Sequence, residues 1–222
     1  MARKDRTGNK KSREQRGARR IPELGYYIIV TDTEGTERCY FNGLYNELPP
    51  EVKGRLVIKV IETDTENLIA KCQQMTAYEP QYRMPWIVFD RDEVRDFDRI
   101  IAEAQEREIH VGWSNPCFEI WMYAYFGSMP VIEKSRQCCE SFSALYRSET
   151  GRDYSKTDRS IYSALTKYGD EQTALRIAGQ KHRQCLREGR SIPSSMIPCT
   201  TVYQLIQEIR SRLLKEQASH RE

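Results

Sequence analysis

The sequence predicts an α/β protein, a mainly parallel sheet flanked by helices, followed by a helical C-terminal third. Three observations lead there. Four short apolar runs lie between Tyr26 and Trp113, each of strand length and rich in β-branched and aromatic residues. Helical patterns separate them, and connections of that length are crossovers, which join parallel strands by right-handed βαβ units. From Val131 onward the apolar spacing is helical only.

The elements follow in order. Tyr26-Tyr27-Ile28-Ile29-Val30-Thr31 is the first strand. Thr36 and Glu37 open a helix that runs through Tyr40, Phe41, Leu44 and Leu48 until Pro49-Pro50 ends it. Arg55 to Ile61 is a second strand, and Thr65 to Tyr78 a helix with Leu68, Ile69, Cys72 and Met75 on one face. The run Pro85-Trp86-Ile87-Val88-Phe89 is a third strand, followed by a helix through Phe97, Ile100, Ile101 and Ala104. Glu108 to Trp113 is a fourth, broken at Ser114-Asn115-Pro116. The helix from Cys117 to Phe126 is aromatic nearly all round and therefore reads as buried. Helices over Val131 to Arg147, Arg159 to Lys167, Glu171 to Glu188 and Thr201 to Lys215 complete the chain, covering one sheet edge or forming a lid. The resulting division is a basic, disordered arm over 1–22, a core over 23–130 and a helical extension over 131–222 packed on that core.

Composition narrows the class. A chain of 222 residues with 39% hydrophobic and 30% charged content has a soluble, globular balance. It has no apolar stretch of membrane-spanning length, and its basic N-terminus lacks the apolar core of a secretory signal, which places it in the cytosol. Seven cysteines without a C-x-x-C pair read as free thiols and disfavour a zinc ribbon, with Cys138-Cys139 as packing residues inside a helix. The net charge of +3 is uneven. Residues 1–20 carry nine Lys/Arg and two Asp/Glu, leaving 26 basic and 30 acidic groups on a mildly acidic body. Such an arm either contacts nucleic-acid phosphates or serves as a solubilising tail. No glycine-rich phosphate loop is present, which disfavours an NTPase, and His110 and His182 stand without ligand-type spacing.

Chemistry concentrates where strands end. Asp90 and Asp92 follow the third strand, and Asp32, Glu34 and Glu37 follow the first. In an open α/β sheet, ligands gather outside the carboxyl ends of strands. If these two strands are neighbours, carboxylates meet at one edge, and a hard cation such as Mg²⁺ or Mn²⁺ is what stabilises such a meeting. After the fourth strand, Ser114 or Asn115 reads as an N-cap with Pro116 at the first helical position. Glu119 then sits in a helix of Phe118, Ile120, Trp121, Tyr123, Tyr125 and Phe126, where a carboxylate needs a partner. Lys156, near a helix start, is either solvated or placed to neutralise charge on a phosphate.

These segments, in this order, resemble the RloB family, a group with a Toprim-like core found in bacterial defence and restriction loci. The resemblance covers roughly residues 24 to 205 and rests on Thr36-Glu37-Arg38-Cys39-Tyr40-Phe41, Phe89-Asp90-Arg91-Asp92-Glu93 and Ser114-Asn115-Pro116-Cys117-Phe118-Glu119-Ile120-Trp121, supported by Tyr154, Lys156 and Thr200-Thr201-Val202. It implies a Mg²⁺- or Mn²⁺-dependent nuclease in anti-phage defence, acting by abortive infection with a partner AAA- or ABC-type ATPase on DNA or RNA, tRNA included. Asp32 or Glu34, Asp90 and Asp92 would then be metal ligands, Glu119 and Lys156 further catalytic residues, and Glu37, Ser114 and Asn115 substrate contacts. The family usually reads Glu-Gly-x-x-Thr-Glu where this chain reads Asp32-Thr33-Glu34-Gly35-Thr36-Glu37. Without a gap Asp32 takes the glutamate's place, and a two-residue shift selects Glu34-Gly35 instead. Two rival expectations are a non-catalytic subunit docked on an ATPase through the C-terminal helices, and a nucleic-acid-binding protein led by its arm.

Overall fold

A computed structural model describes residues 22–32, 35–92 and 94–219. Glu34 and the basic arm, Pro22 apart, lie outside the described residues. Five strands form one sheet in the order β2-β1-β3-β4-β5: β1 Gly25–Thr31, β2 Leu56–Glu62, β3 Arg83–Asp90, β4 His110–Asn115 and β5 Cys199–Thr200. The first four are parallel and β5 is antiparallel to β4. The α/β class, the mainly parallel sheet and the helical C-terminal region agree with the sequence reading. The short β5 corrects it, because helix is not the only structure after Val131. Two residues are too few to show a period, and Pro198 before them conceals an edge strand.

The strands are continuous apolar runs because both faces of the sheet are covered. Tyr27, Ile29, Trp86 and Val88 point into one core, and Ile28, Val30, Ile87 and Phe89 into the other. The first core is closed by α1 (Thr36–Asn46), α5 (Glu119–Tyr125) and the C-terminal helices. The second is closed by α3 (Leu68–Thr76) and α4 (Phe97–Glu106), with a one-turn α2 (Pro50–Lys53) on the way into β2. After β1 the chain steps one way to β2 and then back past β1 to β3. With crossover handedness fixed, opposite steps put their helices on opposite faces, as α1 and α3 are here.

The C-terminal region consists of α6 (Ser135–Thr150), α7 (Ile161–Tyr168), α8 (Glu171–Arg187) and α9 (Val202–Ser219). It is built into the core. A buried polar chain binds it there: Tyr40 Oη meets Tyr125 Oη at 2.7 Å, Tyr162 donates to Glu171 at 3.0 Å, and Arg210 Nε donates to Glu171 at 2.6 Å. No helix among the described residues is long and apolar enough to cross a membrane.

The contact between α1 and α7 depends on a missing side chain. A Cβ on Gly43 would lie 2.6 Å from Tyr162 Cβ, a distance that only movement of one helix relieves. Gly43→Ala is therefore expected to destabilise the protein by about 1–3 kcal/mol despite its better helix propensity. Urea denaturation of the two proteins measures this, and an unchanged or raised midpoint counts against close packing at that crossing.

Candidate metal centre at the carboxyl ends of β1 and β3

β1 and β3 are direct neighbours, with Thr31 in register with Val88. The chain departs from β1 toward β2 on one side and β3 lies on the other, so this is the topological switch point of the sheet. Asp32 leaves β1 here and Asp90 ends β3. Burial raises the Asp32 carboxyl to about 6, helped by the charge of Asp92, while Thr65 donates a hydrogen bond that opposes the shift.

Glu37 stands in the first turn of α1 and is 5% exposed. Burial, with the charges of Asp32 and Glu119, raises it to about 7. Burial also pushes Asp90 upward, followed by Glu37, Asp32 and Glu119. One Asp90 oxygen accepts from the Phe118 backbone N–H at 2.9 Å, while Oδ1 is buried without a hydrogen-bond donor. An acceptor oxygen in that position is satisfied by a proton or a cation.

Asp92 is exposed and holds a left-handed backbone (φ +26°), a conformation aspartate tolerates better than most residues. Its loop is pinned to the end of β4 by Arg91 N–H to Ser114 O at 2.9 Å and Asp92 N–H to Pro116 O at 3.0 Å. The turn after Phe89 thus brings Asp90 and Asp92 to one site. Across from them, Glu119 is 1% exposed in the first turn of α5. Tyr154 donates to its Oε1 at 2.7 Å, and Thr36 meets the same tyrosine hydroxyl at 2.9 Å. Lys156 Nζ lies 4.0 Å from Glu119 Oε1. Burial lowers its pKa, and Glu119, Cys139 and Asp90 more than offset that, so the ammonium keeps its proton.

Asp32, Glu37, Asp90, Asp92, Glu119 and Lys156 are therefore brought together. Ser114 and Asn115 are turned elsewhere. Ser114 Oγ meets Thr200 Oγ1 at 3.1 Å, and Asn115 Nδ2 donates to Pro193 and Ser194 carbonyls at 3.3 and 3.2 Å. The capping expected of them is corrected as well. The helix begins at Glu119, Asn115–Pro116 is a cis peptide, and the N–H at the helix start goes to Asp90. Cys138 and Cys139 lie near the start of α6, which begins at Ser135 rather than at the expected Val131. The sequence does not mark Thr65 as a site residue, and it marks Thr36 as a helix start and family residue and Tyr154 as a family residue. Neither a threonine after a strand nor a tyrosine in a loop carries a local signal of its own.

The donor set is all oxygen at its centre, carboxylates outnumber the nearby ammonium, and Asp90 has an oxygen to spare. Residues of this kind fit a hard divalent ion.

The same burial has a sign for stability. Asp32 at about 6 and Glu37 at about 7 lie above their ordinary values of 3.8 and 4.5, so the folded protein holds protons that the unfolded chain has released. In EDTA that contribution is fully present below about pH 4 and lost as pH rises to about 7, so stability falls across the window. Asp32→Asn is expected to flatten the decline by on the order of 2 kcal/mol, read from urea midpoints at about pH 5 and 8. Parallel profiles for the two proteins contradict the assignment.

A family model described as RloB-like protein matches residues 27–209. No curated protein and no solved structure matches the chain. The family match covers well over half of the 222 residues, and the chain belongs to the RloB-like protein family.

Proposed function

We propose that the chain is a Toprim-like, Mg²⁺- or Mn²⁺-dependent nuclease that hydrolyses phosphodiesters of DNA or RNA, tRNA among them, in the cytoplasm as part of anti-phage defence. The observation that carries this reading is the convergence of Asp32, Glu37, Asp90 and Asp92 at the switch point, with Asp90 Oδ1 buried and lacking a donor. Family membership supports the defence setting, abortive infection and a partner AAA- or ABC-type ATPase.

Asp32, Asp90 and Asp92 would hold the metal, with Glu37 taking up or releasing a proton against Asp90 as it binds. Glu34, two positions after Asp32, is the alternative first acid by sequence. A divalent ion supplies charge to polarise a phosphoryl oxygen and makes water a better nucleophile at neutral pH. Glu119, fixed by Tyr154, presents a carboxylate beside the metal ligands and holds Lys156 within reach. Lys156 keeps its proton there and opposes the negative charge that develops on the phosphate. A groove of about 890 Å³ opens from Asp32 and Asp92 between α3 and α4, and Arg95 on its wall offers a guanidinium to a nucleic-acid backbone.

The test incubates purified protein with plasmid DNA and total tRNA in Mg²⁺, Mn²⁺ or EDTA, beside Asp90→Ala/Asp92→Ala. Metal-dependent cleavage, reduced at least about 100-fold in the double variant, is the expected outcome. Undiminished cleavage by a folded double variant overturns it. Should the protein need its ATPase and show no cleavage alone, Mn²⁺ calorimetry decides, and absence of binding sinks the reading. Tyr154→Phe removes the hydrogen bond to Glu119 while leaving the ring, and a loss of about 10- to 100-fold is expected in the same assay.

A further inference from the structure

Behind the carboxylate site lies a second donor set of different character. Cys117, at the turn before α5, and Cys139, near the start of α6, bring their sulfurs to 4.0 Å. Glu119 completes a trio in which one donor atom from each residue lies within 4.8 Å of the others. Cys117 is 2% exposed, Glu119 1%, and Cys139 half-buried.

The sulfur separation is compatible with a shared metal ion. A disulfide requires about 2.05 Å between sulfurs, so Cys117 and Cys139 are two free thiols in contact here. Two thiolates on a tetrahedral zinc, each at about 2.3 Å, stand about 3.8 Å apart. The observed 4.0 Å lies near the metal-bridged distance and far from the covalent one. Two sulfurs with one carboxylate also form a borderline-soft set, which selects Zn²⁺ over the hard ions suited to oxygen donors.

We propose that Cys117, Cys139 and Glu119 form a binding site for a thiophilic divalent cation, Zn²⁺ in particular, adjoining the oxygen-donor centre and sharing Glu119 with it. Binding forms two metal–sulfur bonds and releases both thiol protons to solvent, while Glu119 binds as the carboxylate. The ion, two thiolates and one carboxylate together carry one negative charge, which Lys156, 4.0 Å from Glu119, offsets. Resting on the nuclease reading, one consequence follows: Zn²⁺ would draw Glu119 from the metal-assisted site and act as an inhibitor.

The binding claim is tested without nucleic acid. Full-length protein, stripped with chelator and kept reduced with a phosphine, is titrated with Co²⁺ as a spectroscopic stand-in for zinc. The expected result is a near-ultraviolet thiolate-to-cobalt band with tetrahedral visible absorption, saturating near one equivalent and abolished by Zn²⁺. Cys139→Ser, at a half-buried position, should lose the band while keeping its circular dichroism, and Cys39→Ser should retain it. Glu119→Gln should weaken cobalt binding without removing the sulfur band. No thiolate band in the wild type, or an undiminished one in Cys139→Ser, overturns the proposal, as does exclusive formation of a Cys117–Cys139 disulfide under the same reduced conditions. A chain that binds Co²⁺ through sulfur yet never cleaves nucleic acid would leave this site standing and refute only the nuclease.

Discussion

The structure turns on like charges held out of water at one edge of a sheet. Asp90 is pushed well upward by burial and then by Glu37, Asp32 and Glu119. Carboxylates in this state cost free energy when ionised, because desolvation and repulsion act together. What opposes them is placed rather than diffuse: the Phe118 N–H on Asp90, Tyr154 on Glu119, Thr65 on Asp32 and Lys156 across from Glu119. Much of the fold can be understood as the means of holding those few groups still.

The C-terminal region has to be part of the core for this to work. Tyr154 and Lys156 lie in the connection between α6 and α7, far in sequence from the strands whose acids they face. Their position is set by helices that close one face of the sheet, through aromatic packing of Phe142 on Tyr154 at 5.0 Å and the Tyr162–Glu171–Arg210 chain. Those helices form a wall of the site. β5 adds to this, because Thr200 and Thr201 tie β4 to the start of α9 through side-chain bonds to Ser114 and to the Trp113 and Val111 backbone.

Most of the fold was legible because burial on both faces makes strand runs continuous, and Asp32, Asp90 and Asp92 were legible because they follow such runs. Glu119 was legible for the opposite reason, as a charge among aromatics. Ser114 and Asn115 were misjudged as helix caps, since a cis peptide at Pro116 and the reach of Asp90 to Phe118 are tertiary facts. Thr65 was missed because its partner, Asp32, is 33 positions away, and hydrogen bonds across a strand crossover leave no periodicity. The sulfur pair was invisible for the same reason. Cys117 and Cys139 have no ligand spacing in sequence and meet only because α5 and α6 pack against each other.

The charge arrangement also orders events. A phosphodiester is anionic, so a site with Asp32, Glu37, Asp90, Asp92 and Glu119 repels it unless positive charge arrives first. Lys156 alone does not balance that set, and its own proton is held by the carboxylates it faces. Protons can neutralise Asp32 and Glu37 only up to about pH 6 and 7, so on the proposed reading a cation takes their place at higher pH. On the proposed nuclease reading, metal affinity should therefore rise with pH as protons leave Glu37 and Asp32, and nucleic-acid affinity should rise with metal occupancy. The two couplings share one cause, the carboxylates gathered at this sheet edge, and a substrate that bound equally well with and without metal would show that its phosphate never enters this cluster.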